Sequence, residues 1–189
     1  MKNKLVAVDL DGTLIDTRMV NYESYRMALE EMGFSLSYES YEEECFGKYY
    51  LDFLPQLMGD NPSDKDIERV HERKKMLYAS CTSAGRLNKD LFDILTALRA
   101  TGEWHTALIT TGSSRNAEEI LRAFNCYDLF DLVLTSADVS RNKPDPEGYL
   151  LAMSTLNVLP ENTVIFEDSG TGLAAAMASG AKVFRVERF

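Results

Sequence analysis

Leu5-Val6-Ala7-Val8-Asp9-Leu10-Asp11-Gly12-Thr13-Leu14 is an apolar run that stops at two aspartates and a glycine. Such a run reads as a buried strand delivering carboxylates to a tight turn. Side chains two apart on a strand point the same way, but a turn opening at Gly12 lets Asp11 swing around the spot that Asp9 faces. Two carboxylates held that close favour a cation between them.

Beyond this strand the spacing becomes helical. Tyr22, Tyr25, Leu29 and Met32 recur at steps of three and four before Gly33. Tyr50, Leu54 and Leu57 form a second stripe that Gly59-Asp60-Asn61-Pro62 stops. Ser63 then caps a helix with Ile67, Val70, the stem of Lys74, Leu77 and Tyr78 on one face. No strand pattern occurs between Arg18 and Ala84, so 18–84 reads as an all-helical block.

From Gly85 onward strands and helices alternate. Leu91, Ile94, Leu95 and Leu98 mark a helix, and His105–Thr110 a buried strand. Gly112-Ser113-Ser114 leads into a helix with Ala117, Ile120, Leu121 and Phe124 inward. Asp131–Thr135 is a strand, followed by a loop with Lys143-Pro144-Asp145-Pro146 and a helix through Tyr149, Leu150, Met153 and Leu156. Thr163–Glu167, Ala174–Ala178 and Lys182–Val186 complete the series as strand, helix and strand. Continuous apolar strands alternating with helices predict an α/β fold, a parallel sheet with helices on both faces. Ligands of such sheets bind at the carboxyl ends of the strands. Those ends carry Asp9 and Asp11, Thr110 and Thr111, Lys143 in the next loop, and Glu167 with Asp168. Carboxylates, a hydroxyl and a lysine on one rim describe a site for a magnesium ion and a phosphoryl group.

Each residue type has a duty in phosphoryl transfer. Asp9 can attack phosphorus and become an aspartyl phosphate. Asp11 can protonate the leaving oxygen and later take a proton from water. Asp168 is the second carboxylate for the metal. Lys143 and Thr110 meet negative charge on the phosphoryl oxygens. The doubled threonine permits a shift of one residue, and Thr110 is preferred over Thr111.

The sequence resembles the haloacid dehalogenase (HAD) superfamily of hydrolases in four motifs that occur in family order: Asp9-Leu10-Asp11-Gly12-Thr13-Leu14, Leu108-Ile109-Thr110-Thr111-Gly112, Lys143-Pro144-Asp145-Pro146 and Phe166-Glu167-Asp168-Ser169-Gly170-Thr171-Gly172. The resemblance extends to the β-phosphoglucomutase-like and phosphoglycolate phosphatase-like branch. It implies a Rossmann-like core from 1–17 and 85–189 with an inserted α-helical cap at 18–84. It also implies Mg2+ on the side chains of Asp9 and Asp168 and the carbonyl of Asp11, with Glu167 in the outer shell. Thr111 and Gly112 would line the phosphoryl site, and Arg18, Asn21 and Lys48 the substrate side of the cap.

Asp11 argues against dehalogenation. Mutase members carry a hinge histidine where this chain has Asn21, which favours net hydrolysis over a β-phosphoglucomutase-like reaction. Phosphonatase members form a Schiff base on a cap lysine, whereas Lys48, Lys74 and Lys75 read as solvated helix lysines, and Glu42-Glu43-Glu44 as a solvated face. The expected activity is a Mg2+-dependent phosphatase of a small phosphorylated metabolite such as a sugar phosphate. A catalytically idle binding or regulatory module is the alternative from another class.

Composition narrows the partners. Of 189 residues, 45% are hydrophobic and 26% charged, as in ordinary soluble domains large enough to bury a core. Thirty acidic against 20 basic residues give a net charge of −10, which argues against nucleic acid and anionic membrane partners. No apolar run has the length of a membrane span, and Met1-Lys2-Asn3-Lys4 leads into too short an apolar segment for a signal peptide. A cytoplasmic monomer is expected. Cys45, Cys81 and Cys126 show no paired spacing and read as buried thiols. His71 and His105 read as structural or surface residues.

Overall fold

A computed structural model describes residues 2–59 and 61–189; Met1, and Asp60 within the expected Gly59–Pro62 stop, lie outside the described residues. The strands are β1 (Lys4–Val8), β2 (Ile15–Asp16), β3 (Arg86–Leu87), β4 (Trp104–Ile109), β5 (Leu132–Leu134), β6 (Thr163–Glu167) and β7 (Lys182–Arg185). Five of them form a parallel sheet in the order β5-β4-β1-β6-β7. The two-residue β2 and β3 pair antiparallel as a separate ribbon.

The central place of β1 follows from its composition, because a strand covered on both faces needs both alternate sets of side chains to be apolar. Leu5 and Ala7 join Ala107, Ile109 and Ile165 on one face. Helices α7 (Glu147–Leu156) and α8 (Gly170–Ala178) cover that face through Tyr149, Ala152, Met153, Ala175 and Ala176. Val6, Val8 and Leu108 alternate to the other face and are fully buried as well. On that side Arg99 of α5 (Lys89–Ala100) donates to Thr106 Oγ1 of β4 at 3.1 Å. Helix α6 (Ser114–Ala123) begins at Ser113, whose hydroxyl accepts from Asn116 N. The register pairs Val8 with Leu108 and with Phe166, so β1, β4 and β6 end level. That alignment brings Asp9, Thr110 and Glu167 to one rim.

The chain divides into two compact units, Met1–Asp16 with Arg86–Phe189, and Thr17–Gly85. The second contains α1 (Arg18–Glu30), a short α2 (Tyr38–Ser40) running into a π-helical turn at Tyr41–Cys45, α3 (Tyr50–Leu57) and α4 (Asp64–Cys81). Its core joins Tyr22, Tyr25 and Leu29 to Phe53, Leu54, Ile67 and Val70. Ser63 caps α4 by accepting from Asp66 N at 3.2 Å. Among the described residues of this unit there is no strand.

Two expected core positions are exposed instead: Ile94 is 46% and Leu150 44% accessible. Leu91 and Leu95 on α5, and Tyr149 and Met153 on α7, already supply the (i, i+4) contact rows. The intervening residues fall on the flank. Cys45, Cys81 and Cys126 are free and buried. No helix among the described residues is long and apolar enough to cross a membrane.

Candidate active site

The turn after β1 is built around Gly12. Asp9 N still donates to Phe166 O at 3.1 Å, after which the chain leaves the sheet and folds back, with Gly12 N to Ile15 O at 2.8 Å and Leu14 N to Leu10 O at 3.1 Å. Gly12 has φ +88°, a conformation open to glycine at little cost. A Cβ here would also overlap the Asp168 carboxylate. The glycine therefore lets the turn close and lets Asp168 approach it.

Lys143 is the hub of the site. Its Nζ donates to Asp9 Oδ1 at 2.6 Å, to Ile109 O at 3.0 Å and to Glu167 Oε1 at 3.1 Å, and its side chain is only 7% exposed. The preceding loop is held by Glu147, whose carboxylate accepts from Ser140 N at 2.8 Å and Arg141 N at 3.0 Å. Glu167 is fully buried. Besides Lys143 it accepts from Asp168 N at 3.0 Å and Ser169 Oγ at 3.2 Å. Ser169 in turn caps α8 through Gly172 N at 3.0 Å, so the cap is the serine and the acids remain in the site.

The charges are strongly coupled. Burial pushes Glu167 up to about 7, the Asp9 carboxylate adds to the rise, and Lys143 opposes it. Asp168 is raised by burial and then by Asp9, against the hydrogen bond from Thr13 Oγ1 at 3.0 Å. Burial disfavours the Lys143 ammonium, but Asp9, Tyr149 and Glu167 together carry it above the usual lysine range.

Carboxylate oxygens of Asp9, Glu167 and Asp168 lie within 4.8 Å of one another. Lys143 bridges Asp9 and Glu167, whereas among the described residues no cation pairs with Asp168. An all-oxygen donor set with surplus negative charge, raised proton affinity at Glu167 and Asp168, and one carboxylate lacking a cation fits a hard divalent ion. Asp11, exposed at the turn, receives the Thr110 hydroxyl at 3.4 Å, and Thr110 Oγ1 accepts from Gly112 N at 3.0 Å. Thr110 is buried and Thr111 exposed. The structure thus gathers Asp9, Asp11, Thr110, Lys143, Glu167 and Asp168 on one rim, with Gly112 alongside.

Arg18, Asn21 and Lys48 belong to the helical unit. The Arg18 guanidinium lies 5.6 Å from the Phe46 ring centroid. Lys48 is exposed, just after Gly47 at φ +74°. Asn21 Oδ1 accepts from Lys74 Nζ at 2.6 Å, while its amide nitrogen donates to Thr17 O at 3.1 Å. Lys74 corrects an expectation: it is 7% exposed rather than solvated. Its ammonium lies 5.0 and 4.9 Å from the ring centroids of Tyr25 and Tyr78. A lysine on an otherwise apolar helical stripe with tyrosine four residues on was the available signal. Lys75 is paired with Glu72 at 2.6 Å.

The family described as haloacid dehalogenase-like hydrolase matches residues 6–186. A phosphorylated carbohydrates phosphatase of Thermotoga maritima is 33% identical over 179 residues, covering 93% of this chain and 81% of that protein. Among solved structures, mutant CbbY from Rhodobacter sphaeroides in complex with xylulose-(1,5)bisphosphate superposes with a TM-score of 0.80 at 26% identity, covering 96% of this chain and 84% of that one. A putative β-phosphoglucomutase from Thermotoga maritima gives 0.78 at 29% identity over 96% and 84% of the two chains.

Proposed function

The chain belongs to the haloacid dehalogenase-like hydrolases, and from that premise we propose that it is a Mg2+-dependent phosphatase of a small phosphorylated metabolite, a phosphorylated carbohydrate foremost, acting through an aspartyl phosphate on Asp9. The observation that carries this reading is the buried Asp9 carboxylate bonded to Lys143 at 2.6 Å, with Glu167 and Asp168 in the same cluster and Asp11 on the adjoining turn.

A carboxylate oxygen of Asp9 attacks phosphorus as the bond to the leaving oxygen breaks, and protonated Asp11 delivers its proton to that oxygen. Asp11, now a carboxylate, takes a proton from the water that attacks the phosphoryl group. The Asp9–phosphorus bond breaks, and inorganic phosphate leaves. Lys143 and the Thr110 hydroxyl meet charge on the phosphoryl oxygens. The side chains of Asp9 and Asp168 and the carbonyl of Asp11 would hold the metal, with Glu167 behind them, and Mg2+ when bound neutralises charge on the phosphoryl group and the acids. We assign substrate choice to Thr111 and Gly112 and, in the helical unit, to Arg18, Asn21 and Lys48.

The test is hydrolysis of p-nitrophenyl phosphate and a panel of sugar phosphates, with and without Mg2+, by wild type and Asp9→Asn. Metal-dependent release of phosphate that Asp9→Asn abolishes supports the proposal. A wild type inactive on the whole panel sinks it. Conversion of β-glucose 1-phosphate to glucose 6-phosphate, assayed alongside, separates hydrolysis from mutase chemistry.

A further inference from the structure

We propose that Tyr149 is a positioning residue whose ring braces the Lys143 ammonium and keeps its donors on Asp9 and Glu167, a role that rests on the phosphatase reading above. Tyr149 is the third residue of α7 and is 1% exposed, in the apolar layer with Leu5, Ala7 and Ile109. Lys143 Nζ lies 5.2 Å from its ring centroid. The start of α7 packs closely on β4: a Cβ on the neighbouring Gly148 would lie 3.0 Å from Ile109 Cγ2. The ring is held where it stands.

The Tyr149 hydroxyl is buried and makes no hydrogen bond; burial raises its proton affinity and the nearby Lys143 ammonium opposes the rise, a pull that Tyr149→Phe removes while keeping the ring. The ring face offers the ammonium a second, separate attraction. An ammonium has three donors, and Lys143 spends all three, on Asp9, Ile109 O and Glu167. Those bonds point the nitrogen but leave the space beside it to be filled. An aromatic ring fills that space and attracts the cation, most strongly where both are out of water. Lys143 bonds to the proposed nucleophile, so displacement of its Nζ should alter turnover more than substrate affinity.

The experiment compares Tyr149→Phe, which keeps the ring, with Tyr149→Leu, which removes it, in wild-type and Lys143→Met backgrounds. Kinetics use p-nitrophenyl phosphate with Mg2+, and crystal structures give the Lys143 Nζ to Asp9 Oδ1 distance. Tyr149→Phe should keep kcat within about threefold, and Tyr149→Leu should lose about tenfold in kcat with KM changed less than about twofold, the scale of a buried cation–π contact. In the Leu variant Nζ should stand outside hydrogen-bond reach of Asp9, and in the Lys143→Met background the Leu substitution should cost nothing further. Unchanged kcat in Tyr149→Leu, an equal loss in Tyr149→Phe, or an undisplaced Nζ overturns the proposal. A wild type without phosphatase activity refutes the reading of the site, while the displacement of Nζ still decides the role of the ring. Should Tyr149→Leu fail to fold, Tyr149→Met, whose longer unbranched side chain reaches further along the ring's position and lacks a π face, answers the same question.

Discussion

Glu167 and Gly172 compete for one volume: the Glu167 carboxylate fills the space that a side chain at position 172 would need. Gly172 lies within α8, where alanine ordinarily stabilises a helix by about 0.5–1 kcal/mol over glycine. Here the sign reverses. Gly172→Ala is expected to lose about 1–3 kcal/mol, the scale of overpacking in a tight core, because Glu167 must give up its bonds to Lys143 and Asp168 N. Denaturant unfolding checks the sign, and kcat should fall more than about tenfold as the acid cluster shifts. A stabilised, fully active variant would show that Glu167 relocates freely.

Asp9 and Asp11 are both acids of the opening motif, but the structure makes them unequal. Asp9 is buried against Lys143, while Asp11 is exposed beside Thr110. Asp11→Asn removes the proton carrier and leaves its backbone carbonyl, so Mg2+ affinity measured by calorimetry should stay within about threefold while kcat falls about 10²–10⁴-fold. Full activity would remove Asp11 from proton transfer.

The raised Glu167 gives the metal-free protein a definite pH response. With its folded value near 7 against an ordinary 4.5, the folded state binds more protons than the unfolded one between those limits. Stability from this group therefore grows as pH falls from 7 towards 4.5, by at most about 3 kcal/mol. Urea unfolding at pH 7 and pH 5.5 should show the gain in wild type and its absence in Glu167→Gln. Saturating Mg2+ should flatten it by favouring the ionised acids.

His71 works in the opposite direction. Burial first, then Lys75 and Lys74, push it down to about 4, against Glu68 and Glu72. Its ring stacks on Tyr50 at 3.7 Å, and Tyr25 Oη lies 3.1 Å from Nδ1. The unfolded chain protonates near 6.5 and the folded one only near 4, so this contribution is intact above 6.5 and is lost as pH falls towards 4. Allowing for its partial exposure, the loss is about 1–2 kcal/mol. His71→Phe keeps an aromatic ring and should show a smaller loss of stability between pH 6.5 and 4.5 than wild type.

The parallel sheet was legible because its strands are short apolar runs bounded by glycine, proline and acids, and because the polar residues fall at their carboxyl ends. β6 spans Thr163–Glu167, as its composition suggests. β2 and β3 escaped because two residues carry no periodicity, and their pairing joins positions far apart in sequence. The π-helical turn at Tyr41–Cys45 likewise has no local signature. Asp9, Lys143 and Asp168 stood out because their motifs could be read in order. Tyr149 did not, because one aromatic on an apolar helical stripe looks the same whether it packs on leucine or on an ammonium.

The ribbon of β2 and β3 also has a use in protein engineering. Asp16 and Arg86 are antiparallel partners, which places their Cα atoms only about 5 Å apart. The chain leaves the sheet unit and returns to it at one doorstep, so everything from Thr17 to Gly85 occupies the position of a hairpin loop. A two-residue turn such as Asn-Gly is long enough to close that gap. The helical unit is thus a cassette that can be excised or exchanged without re-routing a strand of the sheet.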